Sequence, residues 1–89
     1  MQQFKDKRSR EIYETQFARN VPEHVSIGAH KIMRILVAAG GLQDIGLRFI
    51  IIRWRSAPDR FGIYVHGKWH VTFAWSEDFG AGEISLERR

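Results

Sequence analysis

Residues 60–75, RFGIYVHGKWHVTFAW, alternate apolar and polar side chains on both sides of one His-Gly pair. That pattern leaves room for little besides an antiparallel β-hairpin. Opposed residues of such a pair point to the same face, so the length of the loop decides which faces agree. A two-residue loop at His66-Gly67 sets Val65 against Lys68 and Ile63 against His70, which mixes apolar and polar on each face. A three-residue loop, His66-Gly67-Lys68, sets Val65 against Trp69, Ile63 against Val71 and Phe61 against Phe73. The second register gathers every large apolar residue of the hairpin on one face, and it is the one predicted. The other face then carries Gly62, Tyr64, His70, Thr72 and Ala74, with Arg60 and Lys68 at its ends. It is shallow in the middle and cationic at the rim, a shape suited to a phosphate backbone.

The hairpin needs partners for its apolar face, and the first half of the chain supplies them with a different period. In FKDKRSREIYETQFA, Ile12, Tyr13 and Phe17 are spaced for one helical face, while Lys5, Lys7, Arg8 and Arg10 face water or a partner. Asn20-Val21-Pro22 breaks this helix, and Pro22-Glu23 suits the start of a second. Val25, Ala29, Ile32 and Leu36 form its stripe, widened by Ile35 and Ala39. Gly40-Gly41 is expected to end it through the left-handed region. Beyond them RFIIIRWR, residues 48–55, reads as a strand with Ile50, Ile52 and Trp54 on one side and Arg53 and Arg55 on the other. Ser56-Ala57-Pro58-Asp59 reads as a turn. SEDFGAG is a loop, and EISLERR a short last strand or tail. The expected architecture is α+β in a single domain, residues 1–89.

Charge narrows the class of partner. Fourteen Lys and Arg against ten Asp and Glu leave a net charge of +4, and the isoelectric point is near 10.0. Such a surface attracts polyanions or acidic proteins at long range. With no cysteine in the chain, disulfides and thiolate metal sites are excluded, and a reducing cytoplasmic setting is compatible. No window approaches the roughly 18 apolar residues that span a bilayer, and the polar N-terminal stretch lacks the apolar core of a signal peptide. His24 and His30 on the second helix have no partner at ligand spacing, so no metal or cofactor is expected. His66 belongs to the turn, and Trp69 and Trp75 to the core.

Three stretches together resemble one family. QFKDKRSREIY is similar to the start of the HigB-like, plasmid-maintenance branch of the RelE/HigB toxin superfamily. VPEHVSIGAHKIMRILVAAGGLQDI is similar to its second helix, and FGIYVHGKWHVTFAW to its Trp-containing hairpin. The resemblance implies a compact fold with an N-terminal strand and two helices packed on a mainly antiparallel sheet. It implies a type II toxin–antitoxin toxin: a metal-independent mRNA endonuclease that cuts on the ribosome and stops translation. It further implies a HigA-like helix-turn-helix antitoxin, a toxin–antitoxin hetero-oligomer, and a cytoplasmic setting with no membrane partner.

Carried over residue by residue, the resemblance gives Arg60, His70 and Arg88 as catalytic candidates. Lys68, Tyr64, Arg53, Arg55 and Arg89 are the RNA-binding candidates. His70 stands where the family has an arginine, which exchanges a fixed phosphate fork for a group that can move protons. The family's closing Asp-Tyr-His falls on Glu87, Arg88 and Arg89 or one residue earlier, without a tyrosine or histidine. Within residues 46–59 only Asp59, leading into Arg60, clearly follows the family. Two other readings stay open: a toxin-like binding module with weakened catalysis, and a ParE-like gyrase inhibitor.

Overall fold

The computed structural model describes residues 2–54 and 57–89. Three helices, α1 (Lys7–Thr15), α2 (Glu23–Ala38) and α3 (Leu42–Gly46), precede four strands, β1 (Ile51–Arg53), β2 (Arg60–His66), β3 (Trp69–Ser76) and β4 (Gly80–Arg88). The strands form one antiparallel sheet in the order β1-β2-β3-β4. This is a compact α+β fold, as the change of period along the sequence predicts.

The predicted stripe of α2 forms the core. Val25, Ala29, Ile32 and Leu36 are all buried, together with Met33, and pack on Ile63, Val71, Phe73, Ile84 and Leu86 from one face of the sheet. Burying a side chain such as Phe73, fully inaccessible, contributes about 1.5–3 kcal/mol. Helix α1 adds Ile12 and is started by Asp6, whose carboxylate accepts the Ser9 N–H at 2.8 Å. Phe17 does not join the Ile12 face. The helix ends at Thr15, Gln16 turns left-handed with φ 72°, and Phe17 lies exposed beyond it.

The hairpin keeps its predicted register over Phe61–Phe73 and Ile63–Val71 but turns differently. His66 pairs with Trp69, Gly67-Lys68 form the turn, and Val65 is the extra residue of a β-bulge. The bulge reconciles a tight two-residue turn with an apolar face that must stay inward. Gly67 sits at φ 60°, where a side chain is disfavoured. Its N–H donates to Tyr64 Oη at 2.9 Å.

Four other expectations change. The strand predicted over 48–55 is three residues long, because Arg48 and Phe49 still donate their N–H groups to Ile45 O. Ile50 is consequently 85% exposed, and Arg55 lies outside the described residues. Helix α2 leaves through Ala39 in an extended conformation, so Gly40-Gly41 supplies no left-handed cap. The N-terminal strand is reduced to one parallel bridge, Phe4 to Ile84. The closing segment is a nine-residue strand, with Ile84 and Leu86 fully buried. Among the described residues, no helix is long and apolar enough to cross a membrane.

Candidate functional site

The face of the sheet turned away from the helices carries Arg60, Gly62 and Tyr64 from β2, His70 and Thr72 from β3, and Glu87 from β4. Glu87 reaches that face through a bulge. Ala74 pairs with Gly82, but the register then shifts so that Thr72 opposes Ser85 and His70 opposes Glu87. Continued without the shift, the first register would set His70 against Leu86 and turn Glu87 toward the helices. The extra residue is Glu83, held at φ 50°. Its N–H donates to Gln2 O at 2.7 Å, and its carbonyl accepts Arg60 Nη2 at 2.6 Å. The unfavourable backbone conformation is thus fixed from both sides.

Arg60 ties the strands together. Nη2 also donates to Thr72 Oγ1 at 2.7 Å and lies 3.8 Å from Glu87 Oε2. The Thr72 hydroxyl, fully buried, in turn donates to that same Oε2. Guanidinium, hydroxyl and carboxylate form one closed network. The Arg60 side chain is only 12% exposed and Glu87 27%, so the attraction between them is less screened than at an open surface. Among the described residues Arg60 Nε is buried without a partner, and no hydrogen bond engages Glu87 Oε1.

His70 is 6% exposed. Trp54 stands with its ring centroid 5.2 Å away and Tyr64 at 5.7 Å, nearly perpendicular. His70 Nδ1 lies 3.3 Å from Lys68 O. A carbonyl can only accept, so Nδ1 bears the proton there and Nε2 is left to exchange one. Trp54 roofs this cluster. A β-carbon on Gly62 would come within 2.8 Å of Trp54 Cε3, so the glycine lets the indole approach the sheet closely. The face expected to be shallow is therefore partly filled. Exposed Tyr64 and Lys68 remain at its edge.

The candidates divide between the two faces. Arg60, His70 and Tyr64 come together, Arg89 places its guanidinium 6.0 Å from the Trp54 ring, and Lys68 borders them in the turn. Arg53 opposes Phe61 on the other face, where it donates to Pro58 O at 3.1 Å. Arg88 opposes Trp69, also on that other face. Neither reaches His70, because each is one residue out of phase with the strand positions that do. Trp54, Thr72 and Glu87 complete the cluster and stood outside the predicted set. Thr72 could have been found from the polar face of the hairpin. Glu87 could not, since its face depends on the bulge. Among the described residues no three His, Asp or Glu come together as a metal site.

No family model matches the sequence, and no curated protein is significantly similar to it.

Proposed function

We propose that this chain is a toxin of the RelE/HigB kind that cleaves mRNA without a metal ion, using the open face of its sheet. The observation that carries the reading is the cross-strand pair Glu87–His70, with the Arg60 guanidinium beside the carboxylate. Cleavage by transesterification needs a base for the ribose 2′-hydroxyl, an acid for the departing 5′-oxygen and a cation for the extra charge on phosphorus. Glu87, with Oε1 unengaged, takes the 2′ proton as that oxygen attacks phosphorus. The P–O5′ bond breaks, and His70, entering the step doubly protonated with Nδ1–H held on Lys68 O, gives its Nε2 proton to the departing oxygen and is left neutral. The products are a 2′,3′-cyclic phosphate and a 5′-hydroxyl. Arg60 steadies the carboxylate and the developing negative charge, and Tyr64 offers a stacking surface for a base. A HigA-like antitoxin covering this face would silence it.

The test is a reconstituted translation reaction on a defined message, with the cut mapped and the new ends identified. Cuts in the ribosomal A site bearing 2′,3′-cyclic phosphate, lost by roughly 10²-fold or more in His70→Ala and Glu87→Ala, are the expected result. Undiminished cutting by both variants would overturn the assignment. A second reading has its own support: His70 is 6% exposed, and Arg60 is committed to Thr72 and Glu83. These favour a toxin-like binding module that acts through its antitoxin complex. Absence of any cutting by the parent protein, with tight antitoxin binding retained, would select that reading.

A further inference from the structure

We propose that the end of the sheet around the Gly67-Lys68 turn is a binding track for the phosphate backbone of single-stranded RNA. Arg8, Arg88, Lys68 and Arg89 form the track, interleaved with Trp69 and Trp54. The inference rests on RNA being the substrate, and it concerns nucleotides flanking the cut rather than the cut itself.

Two arginines share one indole. The Arg8 guanidinium lies 5.7 Å from the Trp69 ring centroid and that of Arg88 5.9 Å from the same ring. Arg8 comes from α1 and is aimed by its own hydrogen bond, Nη2 to Leu86 O at 2.7 Å. Arg88 comes from the end of β4, directly opposite Trp69. Each contact is mildly favourable, but together they concentrate like charge around one half-buried ring. No salt bridge relieves it: among the described residues the one ion pair is Arg60–Glu87, on the other face. Asp6 lies close enough to feel Arg8 and offsets part of its charge, but its two oxygens accept from the Ser9 N–H and the Ser85 hydroxyl rather than from the guanidinium. Two exposed guanidiniums converging on a ring, with no salt-bridge partner among the described residues, describe a site for phosphates beside a stacking surface.

The track continues around the sheet end. Consecutive residues of a strand point to opposite faces. Arg88 accordingly covers Trp69 on the helix side, and Arg89 covers Trp54 on the side of His70. The Arg89 N–H donates to Lys68 O at 2.7 Å, and that same carbonyl is the neighbour of His70 Nδ1. Arg89, the turn and the imidazole are thereby locked in one place. A strand whose scissile phosphate lies at His70 can pass Arg89 and Lys68 and reach Arg8 and Arg88 without leaving positive charge.

The experiment measures fluorescence anisotropy of a labelled 12-nucleotide oligouridine from 50 to 200 mM salt. The parent protein is compared with Arg8→Ala/Arg88→Ala and with Lys31→Ala/Arg34→Ala, which removes equal charge from the exposed side of α2. Binding at 50 mM salt is expected to weaken at least tenfold in the first variant, with a salt slope shallower by roughly 0.7 per lost phosphate contact. The second variant is expected to keep within about twofold of the parent, for the same electrostatic reason. Arg88→Glu alone leaves the Arg8–Leu86 bond intact and is expected to reproduce the loss, which separates binding from misfolding. Equal weakening by both double variants would reduce the effect to net charge and overturn the track, as would unchanged binding in Arg88→Glu. Competition by polyglutamate as strong as by unlabelled oligouridine would overturn the choice of RNA. A parent that binds through the track but never cuts would leave this inference standing and sink the proposed function. One that cuts while the track variants bind normally would do the reverse.

Discussion

The indole of Trp54 occupies the space that a side chain at residue 62 would need. The Gly62 β-carbon position is 2.8 Å from Cε3 and 3.1 Å from Cζ3 of that ring. Gly62 is the small residue in the middle of the open face, and Trp54 makes it the floor of a roofed cluster. Gly62→Ala must therefore lift the indole away from the sheet. The substitution gains something from a less flexible unfolded chain, but overpacking of this kind costs about 1–3 kcal/mol. A lower urea midpoint with a shift in tryptophan emission is expected, and His70 should become accessible to carbethoxylation. An alanine variant as stable as the parent, with His70 still protected, would show that the ring is not seated there.

The turn yields a smaller prediction. Gly67 holds φ 60° and donates its N–H to Tyr64 Oη. Gly67→Ala should cost roughly 1–2 kcal/mol through the left-handed backbone alone. Gly67→Asn should cost less, because asparagine tolerates that conformation. Tyr64→Phe keeps the ring beside His70 and removes only the acceptor, for a loss of about 0.5–1.5 kcal/mol. Denaturant titration of the three variants checks the order.

What the sequence revealed of this fold follows from how local each cause is. The pairing of Phe61 with Phe73 and Ile63 with Val71 was legible, because a buried apolar face punishes any one-residue slip. Val65 was not. Its side chain is apolar and half-buried, so alternation could not distinguish a paired residue from a bulged one. The α2 stripe was legible over its whole length, whereas α3, at five residues, is too short to show a period. The site was half legible. Tyr64, His70 and Thr72 follow from one hairpin, and Arg60 from its first residue. Glu87 joins them only because Glu83 adopts a positive φ and shifts β4 by one residue, a conformation stabilised by Gln2 and Arg60 from distant parts of the chain. Arg88, named only from the family's C-terminal pattern, lies on the Trp69 face because of the same shift of register.

Asp6 gives the fold an acid limit. Burial works to raise its pKa, but the hydrogen bonds from Ser9 and Ser85, with Arg8 nearby, prevail and hold it below the ordinary 3.8. A carboxyl whose folded pKa is depressed contributes stability that is fully present above its unfolded pKa. That contribution is lost as pH falls through the folded value. The parent should therefore lose stability as pH is lowered below about 4. Asp6→Asn should show a flatter profile over that range. At neutral pH Asp6→Ala should cost about 1 kcal/mol as a lost helix cap, and Asp6→Asn less. Thermal midpoints measured from pH 7 to pH 3 decide it. Parallel profiles for parent and asparagine variant would assign the acid sensitivity to other carboxylates.

The strongest separation of structure from chemistry lies between Thr72 and Glu87. Thr72→Val keeps the shape of the buried side chain but removes the hydroxyl that accepts from Arg60 and donates to Glu87. The guanidinium loses one of its two acceptors and the carboxylate loses its donor, at a cost of about 1–3 kcal/mol. Glu87→Gln keeps the acceptor but removes the charge. Its amide oxygen can still accept from Thr72, but the ion pair with Arg60 is lost, so stability should fall by about 1–3 kcal/mol. An amide also cannot take the 2′ proton, and cutting should fall by roughly 10² or more. Paired measurement of unfolding free energy and cleavage rate separates the two effects. If Glu87→Gln cut RNA at the parent rate, Glu87 would be a strut for Arg60 and the base would have to be sought elsewhere on the face.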